Sequence, residues 1–275
     1  MSTAVRTPAL VTRDWRGSSH AVQFAALTGR ALRALVTNRR VALFGLLQPI
    51  IMLVLFTQVF GAMADTDAFP HQVAYIDYLL PALMVTTGIG PAVASGSTLV
   101  RDMENGLVTR LRALPVSLHW VPTARSLADV TRAAAQVLTL VVTALLVFGF
   151  RPAGGFAGVA AAYAVAMLTI WTLVWVFLAL ASWVRNLEVM QSIGFFVVFP
   201  LMFASNAFVP TYLMPGWLQA VTAVNPLSYS IDATRRLALG WPVGTSVVMS
   251  VSVCLLLLAI TTTLAGRWFR RPPVT

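Results

Sequence analysis

Lysine is absent from this chain: every one of its nineteen basic residues is arginine, set against nine acidic residues for a net charge of +10. Without lysine the G-x-x-x-x-G-K-[ST] phosphate loop cannot be written, so the chain is not expected to bind and hydrolyse ATP by itself. The H-E-x-x-H metal motif and the G-x-S-x-G nucleophile elbow are missing as well. Ser97, Ser192 and Ser205 have no histidine nearby in sequence. Cysteine is reduced to Cys254, inside an apolar run, which excludes an internal disulfide and a cysteine metal cluster. His20, His71 and His119 are too scattered to suggest a ligand set. Charge of either sign is scarce, at 10% of residues. A soluble domain carries about 25%, and so few charges cannot cover a water-facing surface.

Apolar residues fill the space, at 58% of the chain. A membrane-crossing helix needs roughly 20 of them in succession. Six runs qualify, near 41–60, 75–100, 129–150, 156–184, 189–208 and 243–264. They predict an all-α integral membrane protein whose transmembrane domain covers 41–266. Pro49 and Pro200 interrupt two of the runs. Pro81, Gly88, Gly90, Pro91 and Gly96 make the second irregular, so it is expected to face another helix rather than lipid alone. No cleavable signal peptide is expected, because the N-terminal arm lacks an early apolar core.

The arginines orient the stack. With the N-terminus in the cytoplasm, the inside holds the N-terminal arm, Arg101, Arg110, Arg112, Arg125, Arg185 and the tail at Arg267, Arg270 and Arg271. The outside keeps Arg151, Arg235 and Arg236, together with Asp65, Asp67, Asp77 and Asp232, and Arg132 stays within the third run. This positive-inside bias predicts cytoplasmic termini and an even number of crossings. It also explains the high pI without nucleic acid as a partner, since the basic residues flank apolar runs instead of forming a stripe.

Three segments look ordered without spanning. After a flexible stretch at 1–19, residues 20–40 place Phe24, Leu27, Ala31 and Leu35 at helical spacing around Arg30 and Arg33, ahead of Arg39 and Arg40. This pattern predicts an amphipathic interfacial arm. In 101–115, Met103, Leu107, Leu111 and Leu114 form an apolar stripe, with Arg101, Glu104 and Arg112 off it and Pro115 as its stop. Such a helix either docks on a partner or caps the bundle. The outer segment 210–240 holds Pro215, Gly216, Trp217, Asn225, Pro226 and Tyr229, and is too apolar for an open loop. One or two short re-entrant helices fit it, with Tyr212, Trp217 and Tyr229 at the headgroup boundary and Asp232 paired to Arg235 or Arg236. On the third run, Arg125, Asp129 and Arg132 share one face and can pair. A short tail, 267–275, follows the last run.

Four pieces of sequence carry a resemblance. They are YIDYLLP at 75–81, RDMENGLVTRLRALPVS at 101–117, RSLAD at 125–129, and PGWLQAV, NPLSY and D-A-x-R within 214–236. In this order and spacing the chain resembles the permeases of ABC-2-type transporters, in particular the daunorubicin/doxorubicin-resistance group of actinobacteria. It departs at Pro81-Ala82, where the family often has P-G, and keeps the G-x-x-x-R-x-R rhythm at Gly106, Arg110 and Arg112. The resemblance implies six helices and an exporter subunit, with no cofactor of its own. A second permease copy or a related permease would complete the membrane path. Two cytoplasmic ABC ATPases would carry ATP and magnesium. Arg101, Glu104, Gly106, Leu107, Arg110, Leu111, Arg112 and Leu114 would form the coupling helix, beside the arm at Arg30, Arg33, Arg39 and Arg40. Phe195, Phe199 and Phe203 follow helical spacing and either line a path or pack against lipid or protein. Pro215, Trp217, Asn225, Pro226, Asp232 and Arg235 mark the outer segment. The cargo implied is an amphipathic drug, a secondary metabolite or a lipid. A glycan exporter and a non-transporting scaffold subunit are the competing readings. A membrane-embedded enzyme lacks convergent catalytic residues.

Overall fold

The computed structural model describes residues 29, 39–61, 73–106, 110 and 120–269. All regular structure among them is helical. In chain order it comprises α1 (Arg39–Phe60), α2 (Tyr75–Thr86), α3 (Ile89–Glu104), α4 (Trp120–Val147), α5 (Gly155–Val184) and α6 (Leu187–Ile193). A π turn (Gly194–Val198) leads into α7 (Phe199–Phe203), then a 3-10 turn (Thr211–Leu213), α8 (Gly216–Val224), α9 (Pro226–Leu239) and α10 (Ser246–Phe269).

Five stretches are long and apolar enough to cross a bilayer: Leu43–Phe60, Tyr75–Glu104, Trp120–Leu146, Gly155–Val184 and Ser246–Phe269. The run expected at 189–208 forms the shorter apolar helix Leu187–Phe203. At 1.5 Å per residue it is about 25 Å long, against a hydrocarbon core of about 30 Å. The helix ends where Ala204 leaves helical geometry and the Leu201 and Ala204 carbonyls accept from Asn225 Nδ2 at 2.8 and 2.9 Å.

Hydropathy alone does not set burial, since Ser246–Phe269 is as apolar as Gly155–Val184 but far less buried. α5 carries no charge, is apolar on every side and takes the centre, packed by α10, α3, α9 and α4. α1 lies outside α2 and α4 and leaves Leu43, Phe44, Ile51, Leu55 and Val59 exposed. In water such a face would be untenable; in a bilayer it is solvated.

The second run is two helices rather than one. It breaks at Thr87–Gly88, where the backbone comes so close to α5 that a Cβ on Gly88 would lie 2.3 Å from Ile170 Cγ1. A second close approach is made at Gly96, whose Cβ would meet the Phe177 carbonyl at 2.9 Å. Small residues thus let α2 and α3 seat on α5, as the irregular sequence suggested.

Several boundaries differ from the sequence expectation. α4 starts at Trp120 instead of 129, so RSLAD lies inside the helix. Pro122 sits in its first turn, where a missing N–H is harmless. At about 42 Å, α4 exceeds the hydrocarbon thickness, and its polar start extends past the apolar layer. The segment 101–115 is not one amphipathic helix. Arg101 and Glu104 belong to the end of α3, and Gly106 breaks it at φ 69°. Arg110 resumes helical geometry, its N–H bonded to the Gly106 carbonyl at 3.0 Å. Leu107, Leu111, Arg112 and Leu114 lie outside the described residues. So do Arg30 and Arg33, while Arg39 and Arg40 are the first residues of α1 rather than the end of a separate arm.

Candidate functional site

A cleft of about 500 Å³ opens between α3 and the α6–α7 helix. One wall is Ile89, Gly90, Val93, Ala94, Ser97, Thr98 and Arg101; the other is Gln191, Gly194, Phe195, Phe199 and Met202. Residues 90, 94, 97, 98 and 101 recur at three- and four-residue spacing, so one face of α3 presents Gly90, Ala94, Ser97 and Thr98 to the cleft, with Arg101 at its end. The walls meet at Gly194, where a Cβ would stand 2.6 Å from Val93 Cγ1.

The π turn after Gly194 and the proline at 200 belong together. Pro200 has no N–H to close an ordinary helical turn, and the wider turn before it absorbs the mismatch. The outcome is a ladder of rings. Phe195 stacks on Phe199 at 5.6 Å, Phe199 lies 4.8 Å from Phe203, and Phe203 stacks on Phe208 at 5.1 Å. Phe208 then stacks on Phe56 of α1 at 4.4 Å. Of the three phenylalanines singled out by spacing, Phe195 and Phe199 line the cleft, and Phe203 carries the ladder away from it.

The cleft is graded in polarity. Ser97, Thr98, Arg101 and Gln191 gather where α3 ends and α6 begins. Ile89, Val93, Phe199 and Met202 line the opposite end. At the polar end, Asp102 accepts a hydrogen bond from Arg125 Nη1 at 3.1 Å. Arg125 Nε also stands 3.7 Å from Asp129. One guanidinium therefore ties the end of α3 to α4. Sequence spacing anticipated the Arg125–Asp129 pair and missed Asp102, which lies on another helix. Arg132 points elsewhere, toward Gly45 of α1. Arg101, Glu104 and Arg110 are exposed.

Beyond Met202, the segment after α7 is pinned by side chains from both flanks. Tyr75 Oη donates to the Phe208 carbonyl at 3.3 Å and Tyr78 Oη to the Asn206 carbonyl at 3.1 Å. Asn225 works in two directions. Its Oδ1 caps α9 by accepting from the Leu227 N–H at 3.0 Å, and its Nδ2 donates to the Leu201 and Ala204 carbonyls at 2.8 and 2.9 Å. Pro226 occupies the first position of α9, where its fixed φ suits the helix start. Pro215 precedes α8, and Trp217 in the first turn is exposed.

Asp232 pairs with Arg236 at 2.8 Å and accepts from Ser246 Oγ at 2.6 Å. Arg235 instead turns inward and is 2% exposed. Its Nε donates to the Tyr78 carbonyl at 3.1 Å and its Nη2 to the Asn206 carbonyl at 2.9 Å. Its Cζ lies 3.6 Å from the centre of the Tyr78 ring. Burial pulls the guanidinium below the ordinary arginine pKa, yet arginine keeps its proton in proteins. Tyr75, Tyr78 and Asn206 were not singled out from sequence; the two tyrosines of YIDYLLP were the available signal.

Comparison with known proteins gives these features a setting. The ABC-2 type transporter family matches residues 22–239. The chain is 34% identical over 215 residues to "Daunorubicin resistance ABC transporter permease protein DrrB1" of Streptomyces coeruleorubidus, covering 75% of this chain and 73% of that protein. It is 30% identical over 206 residues to "Probable doxorubicin resistance ABC transporter permease protein DrrC" of Mycobacterium tuberculosis, covering 71% and 69% respectively. A multi-pass helical protein with this match over most of its length belongs to the ABC-2 transporter family of membrane permeases.

Proposed function

We propose that this chain is the membrane subunit of an ATP-driven exporter that moves an amphipathic drug, secondary metabolite or lipid out of the cytoplasm or the inner leaflet. ATP and magnesium are bound by two separate cytoplasmic ABC ATPase subunits. A second copy of this chain, or a related permease, completes the path, and both termini lie in the cytoplasm of a bacterial cell. The observation that carries this reading is the continuity of α3. The helix that forms one wall of the cleft also ends in the exposed Arg101 and Glu104. A displacement imposed on its cytoplasmic end reaches the cleft through a rigid rod of 16 residues, about 24 Å long. ATP-driven closure of the partners then becomes a two-state rearrangement of the cleft.

The cleft supports an amphipathic cargo more than a glycan. Its walls are aliphatic and aromatic, with polar groups gathered at one end. The names of the daunorubicin and doxorubicin relatives support the same class of cargo.

The test is reconstitution in lipid with the neighbouring ATPase, comparing wild type with Glu104→Ala and Arg110→Ala. Coupling predicts that the permease alters ATP turnover and that the substitutions abolish the effect. An ATPase that neither binds nor responds to folded permease removes the coupling reading for that pair and favours an accessory subunit.

A further inference from the structure

Arg235 is the one charged side chain, among the described residues, that is fully buried. Burying a guanidinium is costly unless its donors are used, and an apolar side chain of similar size would fill the same space at lower cost. Its placement therefore calls for an account beyond packing. The carboxylate nearest in sequence, Asp232, is engaged by Arg236 and Ser246. Arg235 binds main-chain carbonyls instead, on two separate elements. The Tyr78 carbonyl belongs to α2, and the Asn206 and Ala207 carbonyls belong to the segment that follows α7.

These two elements lead directly into the two walls of the cleft. α2 continues past Gly88 into α3, and the segment at 204–209 follows α7, which carries Phe199 and Met202. Arg235 thus ties the helix that leads into one wall to the segment that follows the other. Tyr78 reinforces the clamp, with its ring under the guanidinium and its hydroxyl on the Asn206 carbonyl. The acceptors are backbone carbonyls, so separation of α2 from the 204–209 segment breaks at least one of these bonds.

We propose that Arg235 is a latch that holds the outer end of the cleft shut. Release of Tyr78 or Asn206 from its guanidinium is the step that opens the cleft outward. The direction of opening rests on the exporter reading above; the clamp between the walls does not.

The test places a reporter in the cleft. Met202→Cys is made in the full chain in lipid vesicles, with Cys254 left in place because it is buried. A membrane-impermeant maleimide is added from the outer side. Adding Arg235→Lys keeps the charge but replaces the fork with a point donor that cannot span both carbonyls. Labelling is expected to rise about tenfold or more, the scale of one lost charge-assisted hydrogen bond. Tyr78→Phe, which removes one hydroxyl, is expected to give a smaller rise in the same direction. Thermal midpoints establish that each variant is folded. Unchanged labelling in folded Arg235→Lys overturns the latch. Where that variant fails to fold, Tyr78→Phe decides: a faster rate supports the latch and an unchanged rate overturns it. The assay needs neither ATPase nor cargo. A chain that labels as expected but never couples to an ATPase therefore keeps its latch and loses its exporter role.

Discussion

Arg125 is where stability and coupling should be separable. Its guanidinium lies between Asp102 at the end of α3 and Asp129 within α4, at 3.1 and 3.7 Å. The side chains are 22% exposed for Arg125, 31% for Asp102 and 13% for Asp129. Breaking a fully buried pair costs about 3–5 kcal/mol, whereas an exposed pair contributes about 0–1 kcal/mol. The arrangement here is intermediate, and the charge of Arg132 also acts on Asp129. Arg125→Ala should therefore cost about 1–3 kcal/mol, most of it from the orphaned Asp129 carboxylate. Asp102→Asn, on the more exposed side, should cost about 0.5–1 kcal/mol. Adding Asp129→Asn to Arg125→Ala removes the orphaned charge and should restore part of the loss. The assay is thermal unfolding in detergent followed by tryptophan fluorescence, with ATP turnover measured in parallel. Coupling should fall in both Arg125 variants, because α3 is released from α4 in each. Additive destabilisation on combining Arg125→Ala with Asp129→Asn would refute the charge argument.

Three further substitutions test the packing around the cleft. Gly88→Ala should destabilise by about 1–3 kcal/mol through overpacking against Ile170. Ile170→Ala in the same chain should recover part of that cost, and a thermal double-mutant cycle that shows no coupling would contradict the contact. Asn225→Ala loses a helix cap and two hydrogen bonds to carbonyls, for about 2–4 kcal/mol. Asn225→Asp keeps the cap but turns a carboxylate on those carbonyls, so its melting point should be no higher. Arg185 closes α5 in left-handed geometry at φ 52° and donates to the Ser182 and Trp268 carbonyls at 3.1 and 2.8 Å. Both Arg185→Ala and Arg185→Gly lose these bonds, but glycine accepts the backbone geometry, so its melting curve should show about 1 kcal/mol less damage.

What could be read from sequence divides along a physical line. Apolar length is set by transfer free energy, and it located α1, α5 and α10 to within a few residues. Hydropathy cannot say where a helix ends once it leaves the apolar layer. α4 runs back to Trp120 and α3 runs on to Glu104, because their polar turns are satisfied by each other through Arg125 and Asp102. The same limit hid the shortness of the fifth run, whose end is fixed by tertiary hydrogen bonds from Asn225 to Leu201 and Ala204. Spacing offered Asp232 two partners, at i+3 and i+4. It could not show that Arg236 would take the carboxylate while Arg235 reached Tyr78, 157 residues away.

The α2–α3 unit is held differently at its two ends, and the difference bears on where movement begins. Its N-terminal end is enclosed: Tyr75, Tyr78, Leu79, Leu80 and Ala82 are buried, and the Arg235 donors meet neutral carbonyls away from water. Hydrogen bonds of this kind are electrostatically strong in a low-dielectric setting and are insensitive to salt. Its C-terminal end is seated on α5 through the buried Leu99 and Val100, is tied to α4 by one partly exposed ion pair, and finishes at Asn105 and Gly106, with Arg101 and Glu104 exposed. Water can replace that ion pair at little cost. Between the ends, the helix breaks at Thr87–Gly88, and both halves pack on α5. Under the coupling proposed above, a force applied at Arg101 and Glu104 reaches the cleft wall before it reaches the Arg235 contacts.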